Sequence, residues 1–199
     1  MNSPALERRG PFGTTLSVLP PASRFSFRGN ADAARAAGEA LGVALPETPH
    51  RAAARGDRAA LRLGPDEWTL LVPANEGPEI ATAIVRSLGD MPYALVDIGH
   101  RDVGIGVAGP DSAIIVNAGC PLDLDLAAFP ADRCTRTIFA KAGIVLWRED
   151  TTQFRLEVAR SFAAYVWQML ARGSAPGPRS GAPPPTPKLG PRGPRAAYV

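Results

Sequence analysis

The sequence predicts an α+β fold in which one structural unit occurs twice around a shared core. Each unit contains, in order, a strand, a helix, further strands and a second helix. Corresponding residues of the two units are separated by similar numbers of positions along the chain. Gly29 and Gly109 lie 80 positions apart, and Trp68 and Phe154 lie 86 positions apart. A regular offset of this kind is typical of a duplicated structural unit. The chain has 199 residues, of which 45% are hydrophobic, so it can bury a sizeable core.

Two helices of the first unit are predicted by their end signals. Asn30 is a suitable N-cap because its side-chain oxygen can accept a backbone N–H, and Gly42 can end the same helix. In the next helix Pro78 occupies the first turn, where a missing N–H is tolerated. Gly89 follows the last apolar residue of that helix and predicts its end.

Two further helices belong to the second unit. The third begins after Gly109-Pro110 and ends at Gly119. The fourth takes Ser161 as its N-cap and carries an apolar stripe at helical spacing, which predicts burial against a sheet. The stripe consists of Phe162, Tyr165, Val166, Met169 and Leu170.

Strands are predicted between the helices, where apolar and polar residues alternate. The clearest is 153–159, in which one face is apolar and the other is charged. The predicted strands lie at residues 24–28, 51–55, 59–63, 67–72, 94–98, 103–108, 137–148 in one or two pieces, and 153–159.

The domain is expected to span residues 13–172, between a flexible N-terminus at 1–12 and a disordered tail at 173–199. The tail holds eight prolines and five glycines, so it cannot bury enough apolar surface to offset its ordering entropy. It also carries four basic residues and no acid, a local charge of +4, so residues 1–172 sum to −1. Because the rest of the chain is close to neutral, specific nucleic-acid binding is not expected.

The chain is expected to be cytoplasmic. Its first residues lack the apolar segment of a secretory signal, and it has no apolar run of the ~18 residues that a membrane-spanning helix needs. In that reducing compartment Cys120 and Cys134 are expected to be free, buried thiols.

A dinucleotide site is not expected, although Gly104, Gly106 and Gly109 formally match the G-x-G-x-x-G pattern. That fingerprint requires a turn from a strand into a helix, where backbone N–H groups meet a pyrophosphate. Here the glycines run through an alternating strand. The sequence therefore predicts no cofactor on this chain.

Metal and acid–base sites are not expected either. A zinc site usually needs three or four clustered ligands, whereas the two histidines, His50 and His100, and the two cysteines are scattered. His100 could act as a general base, but no nucleophile pattern accompanies it, so a role in holding a strand junction is favoured. The sequence predicts no catalytic and no metal-binding residue.

The paired acids are interpreted as turn-forming residues. Asp66-Glu67 follows Pro65, and Asp123 and Asp125 follow Pro121. An aspartate after proline commonly bonds the backbone of its own turn.

Four segments together resemble a known family. They are Leu63-Gly64-Pro65-Asp66-Glu67-Trp68, Asp97-Ile98-Gly99-His100-Arg101, Cys120-Pro121-Leu122-Asp123-Leu124 with Phe129-Pro130, and Arg160-Ser161-Phe162-Ala163 with Tyr165-Val166. Their order and spacing resemble the gamma subunit family of heterotetrameric sarcosine oxidase, a relative of the aminomethyltransferase (glycine-cleavage T) fold. The resemblance covers about residues 25–170 and implies an aminomethyltransferase-like fold.

The resemblance also implies a function. The complex oxidatively demethylates sarcosine to glycine, forms hydrogen peroxide and passes the one-carbon unit to tetrahydrofolate. This chain would be a non-catalytic accessory subunit that packs chiefly on the alpha subunit, beside the beta and delta subunits. FAD, FMN, NAD, tetrahydrofolate and zinc would be held by those partners.

Two alternatives remain open. One is a standalone folate-binding or aminomethyl-transferring protein, although the strand at 143–147 lacks the acidic pair that transferases of this fold carry. The other is an interaction module unrelated to sarcosine. If the chain is a subunit, aromatic and arginine side chains are the expected interface residues, and Trp147, Arg160 and Trp167 are the candidates.

Overall fold

A computed structural model describes residues 7–9 and 13–173. It contains four helices and eleven strands. The helices are α1 Ala31–Leu41, α2 Gly77–Leu88, α3 Ser112–Asn117 and α4 Ala163–Gly173. The strands are β1 Glu7–Arg9, β2 Thr15–Val18, β3 Ala22–Gly29, β4 Ala52–Arg55, β5 Arg58–Arg62, β6 Glu67–Pro73, β7 Tyr93–Asp97, β8 Asp102–Ala108, β9 Cys134–Phe139, β10 Ala142–Asp150 and β11 Gln153–Ala159. A 3-10 turn at Arg160–Phe162 precedes α4.

The strands form two antiparallel sheets. The five-stranded sheet has the order β4-β5-β6-β3-β7, and the six-stranded sheet has the order β1-β2-β8-β11-β10-β9. One face of each sheet is covered by helices: α1 and α2 lie on the five-stranded sheet, and α3 and α4 lie on the six-stranded sheet. The other faces meet each other, so the layers run helix, sheet, sheet, helix.

The α+β prediction is confirmed, and the shared core can now be located. Each sheet has its own apolar cluster beneath its helices, and a third, smaller cluster lies between the sheets. Only the third contains residues of both sheets, because successive side chains along a strand point to opposite faces. The duplication of the unit stays a prediction.

Local signals located the first two helices well. Asn30 accepts the N–H of Ala33 at 2.9 Å, and Gly42 ends α1 with a φ of 78°. Pro78 lies in the first turn of α2, and Gly89 follows it with a φ of 52°. The ends of these helices depend on residues within or next to the helix itself. This explains why the sequence shows where they lie.

The prediction for the fourth helix needs correction at its start. Ser161 is not its N-cap, because α4 begins at Ala163 after the 3-10 turn. Within the predicted stripe Val166 and Leu170 are buried, whereas Phe162 is 44% exposed. A 3-10 turn has three residues per turn instead of 3.6, so Phe162 does not continue the stripe of the helix.

The N-terminal strands were missed. Residues 1–12 were expected to be flexible, but Glu7–Arg9 pairs with β2, and β2 pairs with β8. These strands are short, and their pairing with a segment about 90 residues away leaves no local signal. Residues 1–6, 10–12 and 174–199 lie outside the described residues, so the disorder predicted for the tail stays a prediction.

Candidate subunit interface

The layer between the two sheets has an apolar half. It comprises the buried residues Ala52, Ala59, Leu61, Leu63, Leu71, Cys134 and Trp147. Leu61 and Leu71 come from the five-stranded sheet, and Trp147 fills the space opposite them from β10. This half holds the sheets together by burial of apolar surface.

The same layer has a charged half. We use this name for Arg24, Glu67, Arg136, Arg155 and Glu157. Arg24 on β3 donates to Glu157 on β11 at 2.5 Å, and the two side chains are only 4% and 3% exposed. Glu157 also accepts from Arg155 at 2.6 Å. The buried carboxylate therefore has two cationic partners, as a charge removed from water requires.

Glu67 connects the sheets at the edge of the charged half. It accepts from Arg136 on β9 and from Arg28 at 3.1 Å. The hydrogen bond from Arg136 is the main reason why the pKa of Glu67 is lowered; burial opposes it, and the charges of Arg136, Arg28 and Arg101 reinforce it. The carboxylate is thus held ionised between three arginines.

A cleft of about 770 Å³ opens beside both halves. Ala52, Ala59 and Trp147 border it, together with Glu149 and Arg155, whose charged groups lie 3.9 Å apart. Burial raises the pKa of Glu149, Arg155 opposes that rise, and Glu157 adds to it. The small alanine side chains leave this part of the layer open to solvent.

Two of the four segments that carry the family resemblance meet on the surface. The backbone N–H of Arg160 donates to the carbonyl of Arg101 at 2.9 Å, and its Nε donates to the carbonyl of His100 at 3.2 Å. The segment 97–101 is thereby tied to the 3-10 turn. His100 supplies its backbone carbonyl to this junction; a role of its imidazole in holding the junction stays a prediction.

The three predicted interface residues are placed differently. Trp147 is only 5% exposed and lies in the apolar half. The reason is its register on β10, which directs it between the sheets. Arg160 is exposed, and Trp167 is half-buried against the core of the six-stranded sheet. The participation of these residues in an interface stays a prediction.

The glycines of the formal dinucleotide pattern have a packing role. Gly104 and Gly106 lie within β8, as the sequence indicated, and not in a turn before a helix. A Cβ at Gly106 would lie 2.8 Å from Ser17 Oγ and 3.0 Å from Leu19. At Gly109, where φ is 120°, a Cβ would lie 2.6 Å from the carbonyl oxygen of Gly13. These glycines let the N-terminal segment pack against β8.

The two cysteines lie in different parts of the core, Cys120 beneath the helices of the six-stranded sheet and Cys134 between the sheets. Cys120 and Cys134 are both free and buried, and burial raises the pKa of Cys134 to about 12. Among residues 7–9 and 13–173 no group of three or more His, Cys, Asp and Glu side chains could hold a metal ion. In the same part of the chain no helix is long and apolar enough to cross a membrane.

Two of the acids after prolines form turns, as expected. Asp123 accepts the N–H of Asp125 at 2.9 Å, and Asp125 accepts the N–H of Ala127 at 2.9 Å. The Asp66 carboxylate, in the turn before β6, instead pairs with the side chain of Arg28 on β3 at 3.5 Å.

Arg148 was missed by the sequence analysis. It is 1% exposed and donates to the carbonyls of Phe129 and Leu124, both at 2.8 Å. Its guanidinium carbon also lies 4.5 Å from the ring centre of Phe154. Arg148 therefore fastens the loop that carries the resemblance segment 120–130. Its position two residues after Leu146 on the apolar face of β10 was the available signal.

Solved structures first identify the class of fold. The chain matches the glycine cleavage system aminomethyltransferase T from Bartonella henselae with a TM-score of 0.60 and 13% identity, covering 77% of this chain and 44% of that one. At this identity the match shows the fold alone. The aminomethyltransferase-like fold expected from the sequence is confirmed.

The family is identified by sequence and structure together. The chain matches the description "Sarcosine oxidase, gamma subunit family" over residues 28–176, and it belongs to that family. It is 30% identical over 133 residues to sarcosine oxidase subunit gamma from Corynebacterium sp. (strain P-1), covering 66% of this chain and 64% of that relative. The corresponding subunit from an Arthrobacter species is 33% identical over 110 residues, or 55% of this chain and 53% of the relative. The aligned regions thus span less than two thirds of these relatives.

A solved complex contains a similar chain. The heterotetrameric sarcosine oxidase from Corynebacterium sp. U-96, in complex with pyrrole 2-carboxylate, matches with a TM-score of 0.76 and 26% identity. The match covers 84% of this chain and 87% of that one. The similarity therefore extends over most of both chains.

Proposed function

We propose that this chain is a non-catalytic accessory subunit of a heterotetrameric sarcosine oxidase. The observation that carries the proposal is the match, at a TM-score of 0.76, to a chain of a solved heterotetrameric sarcosine oxidase. The complex would oxidise sarcosine to glycine, form hydrogen peroxide and transfer the one-carbon unit to tetrahydrofolate. The contribution of this chain would be to assembly.

The partners would carry the redox chemistry. FAD, FMN, NAD, tetrahydrofolate and zinc are proposed to bind to the alpha, beta and delta subunits, with alpha as the chief contact of this chain. The polar groups described between the sheets support this division, because Arg24 pairs with Glu157 and Arg136 pairs with Glu67. They serve to join the two sheets. The complex is proposed to work in the cytoplasm.

Co-expression with the alpha, beta and delta subunits from the same source tests the proposal. We expect a tagged copy of this chain to purify with all three, and the flavin absorbance to belong to the assembled complex. The chain expressed alone should be colourless. Failure of the chain to purify with any partner, or a flavin spectrum from the chain alone, would contradict the proposal.

Titration with tetrahydrofolate distinguishes an accessory subunit from a standalone folate-binding protein. An accessory subunit should leave the folate fluorescence unchanged when it is added alone, whereas a standalone aminomethyltransferase-like protein should bind folate at one equivalent. Saturable binding to the isolated chain would favour that alternative.

A further inference from the structure

The cleft beside the layer between the sheets has the size of a ligand site. Its volume is about 770 Å³, and pockets for small organic molecules commonly measure ~300–1,000 Å³. The lining comes from the segment 19–22, from β4, β5 and β6 of the five-stranded sheet, and from β10 and β11 of the six-stranded sheet. Both sheets therefore contribute side chains to a single space.

Most of the lining is apolar and consists of small side chains. Short side chains keep the space open, and they offer hydrocarbon surface to the apolar part of a ligand. They include Pro20, Pro21, Ala52, Ala54 and Ala59.

Five charged side chains also border the cleft. Arg58 is held by an ion pair at 2.8 Å with an acid before α2, and Asp57 and Asp132 are exposed. The other two, Glu149 and Arg155, have side chains that are only 29% and 16% exposed. These two place both signs of charge side by side in a partly buried part of the cleft.

Glu149 and Arg155 both keep unused hydrogen-bonding capacity. In the part of the chain that the structure describes, the Glu149 carboxylate accepts no hydrogen bond, and the Nη1 of Arg155 lies 3.9 Å from it. Arg155 donates from its Nε to Glu157 at 2.6 Å, whereas its two terminal nitrogens donate no hydrogen bond to those residues. Burial raises the pKa of Glu149 although Arg155 opposes the rise, so the pair leaves the ionised carboxylate incompletely compensated.

Trp147 adds a third polar atom beside this pair. It lies opposite Arg155 in the β10–β11 ladder and two residues before Glu149, and it borders the same cleft. Its indole N–H is buried and has no hydrogen-bond partner among the described residues. A buried donor without an acceptor is uncommon in folded proteins. The cleft therefore has donors on Trp147 and Arg155, and an acceptor on Glu149, that are short of partners.

These groups match a zwitterion better than a single charge. An anion would meet the carboxylate of Glu149 and the two exposed acids, and a cation would be repelled by Arg155. The ammonium and the carboxylate of an α-amino acid are carried by one carbon atom, so they can face an acid and a base that lie side by side. Each end would then form a charge-assisted hydrogen bond, which is about twice as strong as a neutral one.

We propose that the cleft binds an α-amino acid with an apolar side chain. The ammonium donates to the Glu149 carboxylate, and the carboxylate accepts from the terminal nitrogens of Arg155. The side chain of the ligand packs against the alanines and prolines of the lining. The site is formed by this chain alone, so it is independent of the proposed accessory-subunit function.

Isothermal titration calorimetry on the full-length chain tests the site, with L-leucine as the probe. We expect saturable binding at one equivalent. Isoamylamine, which lacks the carboxylate, and isocaproate, which lacks the ammonium, should each bind at least about tenfold more weakly. The reason is that each compound can make only one of the two ionic contacts.

Two variants test whether the ligand lies in the cleft. Glu149→Gln should weaken the binding of L-leucine by about tenfold or more, because an amide forms no ion pair with the ammonium. Ala54→Trp, at an exposed position of β4 that borders the cleft, should weaken it as much by filling the space, and it leaves every charge in place. Glu79→Gln is the matched control, because Glu79 is exposed on α2 and outside the lining. Arg155 is left unchanged because the buried Glu157 depends on it.

Three results would overturn the proposal. If the wild-type chain shows no saturable binding of L-leucine, the site does not exist. If Glu149→Gln or Ala54→Trp binds L-leucine as tightly as the wild type and the Glu79→Gln control, the ligand does not lie in this cleft. If isoamylamine binds as tightly as L-leucine, the carboxylate makes no contact with Arg155 and the ligand class is wrong. Weakened binding in both cleft variants, with the control unchanged, supports the site.

Discussion

The two halves of the layer between the sheets bury their residues by different means. In the apolar half, Leu61, Leu71 and Trp147 exclude water with non-directional contacts. In the charged half, Arg24 and Glu157 are buried just as completely, but each needs its partner at hydrogen-bond distance. The apolar half tolerates small shifts of one sheet over the other, whereas the ion pair fixes their relative position.

This difference indicates which half stabilises the contact between the sheets and which half fixes their relative position. Apolar burial contributes about 25 cal/mol for each Å² removed from water, whatever the exact orientation. A buried ion pair recovers the desolvation cost of its charges only with good geometry, so it adds little net stability. We infer that the apolar half holds the sheets together, and that the charged half sets their register.

The largest effect is expected from Trp147→Ala. Removal of this 5% exposed side chain should lower the free energy of unfolding by about 3–5 kcal/mol, because it leaves a cavity in the apolar half. Urea denaturation followed by circular dichroism measures the change. Ile138→Ala, at a 50% exposed position of β9, is the control and should have little effect. A stable Trp147→Ala variant that no longer binds its partners would instead place Trp147 in a subunit interface.

Arg24→Ala should have the next largest effect. Breaking a buried ion pair typically costs about 3–5 kcal/mol, and we expect the lower end because Arg155 still binds Glu157. Arg28→Ala is the control: its side chain is 54% exposed, and exposed pairs contribute about 0–1 kcal/mol. Equal losses for the two variants in urea denaturation would show that burial does not distinguish these arginines.

A smaller, pH-dependent effect is expected at Glu67. Its pKa is lowered in the folded chain, chiefly by the hydrogen bond from Arg136. The carboxylate therefore stabilises the fold above its ordinary pKa of about 4.3, and this contribution is lost as pH falls through the lowered value. Melting temperatures should show Glu67→Gln less stable than the wild type at pH 7, with the difference shrinking below about pH 4. A difference that is constant from pH 3 to 7 would contradict the assignment.

The smallest effect, with the opposite sign, is expected at Glu149. Burial raises its pKa, so the folded chain favours the protonated carboxyl. The ionised form costs stability, and this cost develops as pH rises from the ordinary pKa of about 4.3 through the raised value. Glu149→Gln should therefore melt slightly above the wild type at pH 7 and together with it near pH 3. A lower melting temperature at pH 7 would mean that the pair with Arg155 outweighs burial.

The sequence showed both segments that meet at the junction between residues 97–101 and the 3-10 turn. It did not show which side chains are exposed there. The segments around His100 and Arg160 were recognised separately, and Arg160 was a candidate interface residue. Their contact depends on the β11–β8 ladder, which joins positions 45 to 57 residues apart. Phe162 was assigned to the core because helical spacing was extended across a 3-10 turn. Local periodicity cannot show where a helix gives way to a tighter turn.

The elements with local causes could be predicted from the sequence. Asn30 and Gly42 bound α1 through caps, and the alternation in 153–159 defined β11 to the residue. The choice of which faces meet depends on long-range packing. Arg24 and Glu157 are 133 positions apart, and β2 joins the six-stranded sheet although it precedes every strand of the five-stranded sheet. Caps and periodicity act over one or two turns, whereas pairing between sheets is selected by the packing of the whole domain.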